Sequence, residues 1–120
     1  MQSNNIPNFV WSEQTGTNDC SSNMFRAVKL NSQGAAKIAA ATDIVVGIQQ
    51  SNPTAAGQYI SIESNGIAMV EAGAAVTKGA KVSIMADGTV ENINGSNTVI
   101  GTALATGVAG NFLSIKLTSL

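Results

Sequence analysis

The sequence of 120 residues contains no histidine and a single cysteine, Cys20. Histidine is the commonest general base, and both residue types dominate transition-metal sites, so the usual nucleophile pairs and metal clusters cannot be assembled. The seven acidic residues are dispersed rather than paired. We therefore expect no catalytic residues, no metal, no cofactor and no enzymatic activity. A lone cysteine also excludes an intrachain disulfide, which favours assembly in a reducing cytoplasm.

Charge is also scarce, since charged residues make up 11% of the chain against about 25% in a typical domain. The six basic residues are scattered and the net charge is −1, so no basic patch is available for nucleic acid or an anionic membrane. No apolar run approaches the roughly 20 residues of a membrane-spanning helix. The opening sequence MQSNNIPN lacks the basic and apolar regions of a signal peptide. We expect neither nucleic acid nor a membrane among the partners.

What the sequence does contain is a β pattern, clearest in KGAKVSIMADG at residues 78–88. Val82 and Ile84 alternate with polar residues, which is typical of a half-buried strand, and the following Asp-Gly pair is typical of a tight hairpin. The sequence AVKLNSQG at residues 27–34 shows the same pattern earlier in the chain. The pattern therefore predicts two hairpins.

These hairpins belong to an internal repeat, whose halves lie at about residues 26–63 and 80–117. Each half is predicted to contain a strand, a tight turn, a second strand, a third strand and a closing strand. The third strands contain Gly47 and Gly101 at matching positions. A glycine there permits a bulge or a close approach of two strands.

The alignment of the halves also decides an ambiguous segment. The alanine-rich residues 35–40 favour a helix by propensity, but they align with the strand-like sequence TVENI at residues 89–93. We therefore predict a strand at both places. Ser-Asn-Gly at residues 64–66 is predicted to be a turn that leads into a bridging strand at residues 67–70.

Two copies are too few for a solenoid, so the repeat favours a barrel or sandwich with a pseudo-two-fold axis. Closing the sheet would remove its unpaired edges. The predicted fold is all-β, a small closed antiparallel β-barrel with an internal two-fold repeat, formed by residues 25–120.

Residues 1–24 differ from the rest, because they are polar and lack a sustained period, yet they contain Ile6, Phe9, Val10 and Trp11. A polar segment with an apolar centre is typical of an extended N-terminal arm that becomes ordered against a partner. Alternatively, Phe9, Val10 and Trp11 form the first strand of the domain's own sheet. The sequence leaves both interpretations open.

Several motifs occur together in residues 25–117 beside this arm. They are EAGAAVTKGAKV at residues 71–82, ADGTV at 86–90, VIGTAL at 99–104 and FLSIKL at 112–117. In this combination the chain resembles the small head-decoration, or capsid cement, proteins of tailed bacteriophages.

The resemblance implies a β-tulip type of barrel that assembles as a homotrimer on the outer surface of an icosahedral capsid and clamps neighbouring capsomers. The implied partners are the major capsid protein and further copies of the chain, and the implied location is the virion, after synthesis in the host cytoplasm. The arm would add a strand to an exposed edge of the coat protein. Its anchors would be Ile6, Pro7, Phe9, Val10 and Trp11.

The alternative function is that of a receptor- or glycan-binding β-module, of head-fibre or adhesin type, on a particle surface. Glycan binding would require an exposed aromatic platform. The candidates for it are Phe25, Tyr59 and Phe112.

Overall fold

In the computed structural model the described residues are 9–118. They form nine β-strands and no helix, which confirms the predicted all-β class. The strands are β1 (Phe9–Gln14), β2 (Ala27–Asn31), β3 (Gly34–Lys37), β4 (Gly47–Gln49), β5 (Tyr59–Glu71), β6 (Lys81–Ile84), β7 (Val90–Asn92), β8 (Val99–Ala103) and β9 (Phe112–Leu117).

The long strand β5, of 13 residues, connects the two halves of the sheet. Its first half pairs with β1 and β4, and its second half pairs with β9. Strands β1 and β9 lie end to end along β5, because Phe9 is opposite Asn65 and Leu117 is opposite Gly66. Both ends of the described chain therefore lie beside the middle of β5.

The predicted turn at residues 64–66 is wrong, because the chain continues through it as β5. The Ser64 hydroxyl donates to the carbonyl of Val46 at 2.5 Å, and the ladders of β1 and β9 meet at this point. Gly66 has a φ of +88°, which glycine adopts without steric cost. Residues 64–66 have the composition of a turn, but the β1 ladder before them and the β9 ladder after them hold them in the sheet.

The sheet is open, so the predicted closed barrel is wrong. The strand order is β3-β2-β4-β5-β9-β8-β6-β7 with β1 beside β5, and within residues 9–118 the end strands β3 and β7 do not pair with each other. Other segments hydrogen-bond these end strands instead. Asn18 Nδ2 donates to the Ala35 carbonyl of β3 at 2.9 Å, and Gly73 N donates to the Val90 carbonyl of β7 at 2.9 Å. Covering an edge in this way makes closure unnecessary.

The two halves of the sheet have the same connectivity. Strands β2 and β3 form a hairpin, and β2 pairs with β4, which pairs with β5. Likewise β6 and β7 form a hairpin, and β6 pairs with β8, which pairs with β9. The strands predicted at residues 35–40 and 89–93 occur as β3 and β7 with shorter bounds.

Apolar side chains form two cores on the sheet, and β5 contributes to both. The small core consists of Cys20, Val28, Ala35, Ile60 and Ile62, with Trp11 and Val46 packed against it. The large core consists of Ala27, Ile38, Val45, Ile48, Ala68, Val70, Ala72, Val76, Val82, Ile84, Val90, Ile100, Ala103, Leu113, Ile115 and Leu117.

Candidate partner-binding surfaces

Two acidic residues of the described chain, Asp43 and Asp87, hold turns of the fold. No group of three histidine, cysteine or acidic residues within residues 9–118 could hold a metal ion. Asp43 accepts hydrogen bonds from the backbone N–H groups of Ala39 and Ala40 and pairs with Lys29 at 3.1 Å. Asp87 accepts from the N–H of Thr89 at 3.0 Å. No helix in this range is long and apolar enough to cross a membrane.

Strand β1 contains three of the five residues expected to bind the capsid. Phe9, Val10 and Trp11 lie in β1 and pair with β5, which is the alternative interpretation of this segment. The Val10 side chain is 53% exposed, whereas Trp11 is half-buried. Ile6 and Pro7 lie outside the described residues.

Trp11 anchors β1 to the sheet. Its indole Nε1 donates to the Ser64 hydroxyl at 2.7 Å, and Ser64 in turn donates to the Val46 carbonyl. The ring also packs against the small core. A buried tryptophan usually needs a partner for its N–H, so these two hydrogen bonds hold Trp11 within the fold.

The backbone of β1 leaves one edge open. Thr15 N donates to the Gln58 carbonyl at 3.1 Å, so in this antiparallel ladder Trp11 also points its N–H and C=O towards β5. Val10 and Ser12 therefore point theirs away from β5. Among the described residues these outward groups have no backbone partner. We call this row of outward groups of Val10 and Ser12 the free edge.

Glu63 of β5 lies directly beside the start of this edge. It is the cross-strand partner of Val10 in β1 and of Ile48 in β4, and it is only 6% exposed. Its Oε2 has no hydrogen-bond partner among the described residues. Burial raises the pKa of the Glu63 carboxyl, because water can no longer solvate its charged form.

We expect Glu63→Gln to stabilise the free protein increasingly as the pH rises. Below about pH 4 the carboxyl is protonated in both the folded and the unfolded chain. As the pH rises, Glu63 ionises first in the unfolded chain, where its pKa is lower. Folding then requires the carboxyl either to take up a proton or to be buried with its charge, and this lowers the free energy of unfolding. Glutamine stays neutral, so the Tm difference in its favour should increase steadily from pH 4 to pH 8.

Thermal unfolding of both proteins at pH 4, 6 and 8 measures this difference. Glu13→Gln is the matched control, since it removes the same charge from the neighbouring strand. A Tm difference for Glu63→Gln that does not change with pH would contradict the prediction.

A second surface lies on the outward face of β5, β9 and β8. Met69 is opposite Ser114 and Ile67 is opposite Lys116, and Leu104 N donates to the Ser114 carbonyl at 3.0 Å. Cross-strand partners share one face of a sheet, so Leu104, Ser114 and Met69 form a row. The apolar members of this surface, which we call the outer stripe, are 38–56% exposed: Ile67, Met69, Leu104 and Phe112.

Polar and aromatic contacts border the outer stripe at one end. Phe112 is opposite Glu71, whose carboxylate pairs with Arg26 at 3.1 Å, and the Phe112 ring contacts Phe25 edge to face at 5.4 Å. Clusters of exposed apolar side chains with a polar rim are candidates for contact with another protein. The alternation in residues 67–70 and 112–117 was visible in the sequence, but which side faced the core was not.

Together these features define a class: a small all-β protein without histidine, with an apolar surface and a free strand edge, suited to contact with other proteins. The model of the phage cement protein family matches residues 17–117. The chain therefore belongs to this family, and the resemblance seen in the sequence is confirmed. It is a structural protein of the phage virion that binds the capsid, and its family is not one of enzymes.

The fold itself is similar to a solved phage structure. The crystal structure of the N base of head fiber gp8.5 in bacteriophage phi29 matches with a TM-score of 0.66 and 16% sequence identity, covering 93% of this chain and 98% of that one. No curated protein matches the chain. At this identity the likeness shows the shared fold alone.

Proposed function

We propose that this protein binds the outer surface of an icosahedral phage capsid as a homotrimer and stabilises the capsid by clamping neighbouring capsomers. The family match over residues 17–117 carries this proposal. The two surfaces described above support it, because clamping needs contacts to more than one neighbour. The free edge adjoins β5, whereas the outer stripe extends onto β8 and β9.

The outer stripe is the proposed surface between copies of the chain. Its four apolar side chains lie on β5, on β9 and directly after β8, and Lys116 beside them is exposed. An apolar centre with polar groups at its rim is typical of protein interfaces. Association of three copies through this face would remove the apolar patch from water.

The N-terminal segment is the proposed capsid contact, with Ile6, Pro7, Phe9 and Val10 as its apolar residues. Trp11 has the narrower role of holding β1 in place. Ordering an extended segment on binding costs on the order of 1–2 kcal/mol per residue, which offsets most of what a few buried apolar side chains return at about 1.5–3 kcal/mol each. One segment would therefore bind weakly, and three on one trimer would gain about 10²–10⁴ in avidity.

We also propose that the two halves of the sheet are an internal structural repeat. The matching connectivity of β2 to β5 and of β6 to β9 supports this. Such a repeat explains why Gly34 and Gly88, which end the two hairpin turns, both have positive φ values of 136° and 86°.

Binding to capsids that lack this protein tests the proposed function directly. Co-sedimentation should show saturable binding, and the bound protein should raise the temperature at which the capsids release their contents. Absence of binding by the wild-type chain would overturn the proposal.

Deletion of residues 1–8 is expected to lower capsid affinity by at least tenfold, because the segment and its apolar residues are lost. Its Tm should stay within about 3 °C of wild type, since the deletion stops before β1 and leaves the Trp11 contact in place. A deletion through Trp11 is the destabilising comparison, because it removes the bond to Ser64. Unchanged capsid affinity after deletion of residues 1–8 would contradict the role of the segment.

A head-fibre base with a receptor- or glycan-binding role is the second candidate, favoured by the structural likeness to the phi29 head fiber base. Tyr59 and Phe112 are exposed, but they lie at opposite ends of β5, since Phe112 is opposite Glu71. They therefore do not form one aromatic platform. Binding of the isolated protein to a glycan array, lost on Phe112→Ala, would favour this candidate.

A further inference from the structure

The three outermost strands of the sheet differ in how their edges are covered. On β3, the Ala35 carbonyl accepts from Asn18 Nδ2 at 2.9 Å. On β7, the Val90 carbonyl accepts from Gly73 N at 2.9 Å. On β1, the outward backbone groups of Val10 and Ser12 have no such cover within residues 9–118. Proteins usually cover or interrupt strand edges, because an uncovered edge pairs readily with another chain.

The side chains at the free edge leave room for an added strand. Val10 and Ser12 are exposed, and no proline or lysine, the residues that commonly block an edge, occurs in β1. The room ends beyond Ser12, because the Gln14 carbonyl packs against Gly34 of β3. An extended segment could therefore pair with Val10 and Ser12 by main-chain hydrogen bonds, as in β-strand addition.

The charges at this edge indicate the chemistry of the added strand. Strand β1 contains Glu13, and Glu63 lies beside Val10, whereas neither β1 nor residues 59–65 contain a basic residue. Glu63 is a buried carboxylate whose Oε2 has no partner among the described residues. A buried charge is normally paired, so this oxygen is suited to a cation, and residues 9–118 place none within hydrogen-bond distance of it.

We propose that the free edge of β1 binds an extended segment of the phage coat protein that carries a lysine or arginine, with that side chain on the same face as Val10 and Glu63. This inference rests on the proposed capsid-binding function and adds the site and the chemistry of the partner. The protein's own residues 1–8 contain no basic residue, which argues against a second copy of that segment as the occupant.

Proline at Ser12 tests the pairing. The Ser12 N–H points away from β5, so Ser12→Pro removes a donor of the free edge while it keeps the ladder with β5, and proline is tolerated at such edge positions. We expect the variant to bind coat-protein capsids at least tenfold more weakly than wild type, with a Tm within a few degrees. Lys37→Pro is the matched control, because it removes an outward N–H from β3, and its capsid affinity should equal that of wild type.

Glu63→Gln tests the charge. It should weaken binding severalfold and flatten the dependence of affinity on salt between 50 and 300 mM NaCl, because one ion pair is lost. Wild-type affinity with an unchanged salt dependence would overturn the proposed basic partner.

Hydrogen exchange of the wild-type chain supplies a readout that does not depend on how the proline variant folds. Amides in residues 9–14 should exchange more slowly on capsids than in solution. Three results would each overturn this inference and leave the proposed function standing. They are equal exchange of these amides on capsids and in solution, capsid binding by Ser12→Pro with wild-type affinity, and a changed oligomeric state of the free Ser12→Pro protein. Failure of wild-type protein to bind capsids would overturn both.

Discussion

Replacement of Gly101 by alanine should lower the Tm by about 10 °C or more, corresponding to at least about 3 kcal/mol at roughly 3–5 °C per kcal/mol. A Cβ at Gly101 would lie 2.3 Å from the Lys116 carbonyl oxygen and 3.2 Å from Leu117 Cα. Both atoms belong to the backbone of β9, so no side chain can move aside. Strands β8 and β9 would have to separate, which would also disrupt the packing of the large core.

Gly95→Ala is the matched control for this prediction. Gly95 has a φ of +53° and no atom within 4 Å of the added Cβ, so its substitution tests backbone strain alone, at about 1 kcal/mol. Thermal unfolding followed by circular dichroism gives both values. A Tm loss for Gly101→Ala no larger than that for Gly95→Ala would show that the close approach of β8 and β9 is not needed.

Replacement of Met69 by glutamate should convert the proposed homotrimer into monomers and lower capsid affinity by about 10²–10⁴, because the avidity of three linked contacts is lost. Met69 lies in the middle of the outer stripe, between Ile67 and Phe112, and points away from both cores. A buried, unpaired carboxylate in an interface is costly. The Tm of the monomer should change little, since the side chain contributes to neither core.

Leu30→Glu is the control for this second prediction. Leu30 is an exposed apolar residue on β2, outside the outer stripe, so its variant should keep wild-type mass and capsid affinity. Light scattering coupled to size-exclusion chromatography gives the mass, and co-sedimentation gives the affinity. A Met69→Glu protein with the same mass as wild type would exclude the outer stripe as the interface between copies.

Local pattern was enough to predict most strands and both hairpins. Alternation in residues 81–84 and the turn chemistry of Asp87-Gly88 depend on neighbouring residues only, and the structure has β6 and a hairpin there. Gly47 and Gly101 could also be identified from the sequence. A glycine within a strand usually marks a bulge or a place where another backbone comes close. The candidate capsid-binding segment was found for a similar reason, since aromatic residues in a polar segment stand out.

The errors arose where distant pairing overrides local preference. Ser64, Asn65 and Gly66 have turn composition, yet β1 and β9 meet beside them and hold the chain in β5. The sheet was expected to close, because unpaired edges are unfavourable, but Asn18 and Gly73 cover the edges of β3 and β7 instead. Neither arrangement can be inferred from residues that are adjacent in sequence.

By itself, the sequence determined that the protein is all-β, that it has no histidine-based chemistry, and that it resembles the phage cement proteins. Those properties follow from composition and from spacing within single strands. Only the tertiary structure decided that β1 joins the sheet. It also decided that, within residues 9–118, the outward groups of Val10 and Ser12 have no backbone partner and the buried Glu63 Oε2 beside them has no hydrogen-bond partner. These structural features depend on which strands pair across the sheet, and contacts between residues distant in sequence determine that pairing.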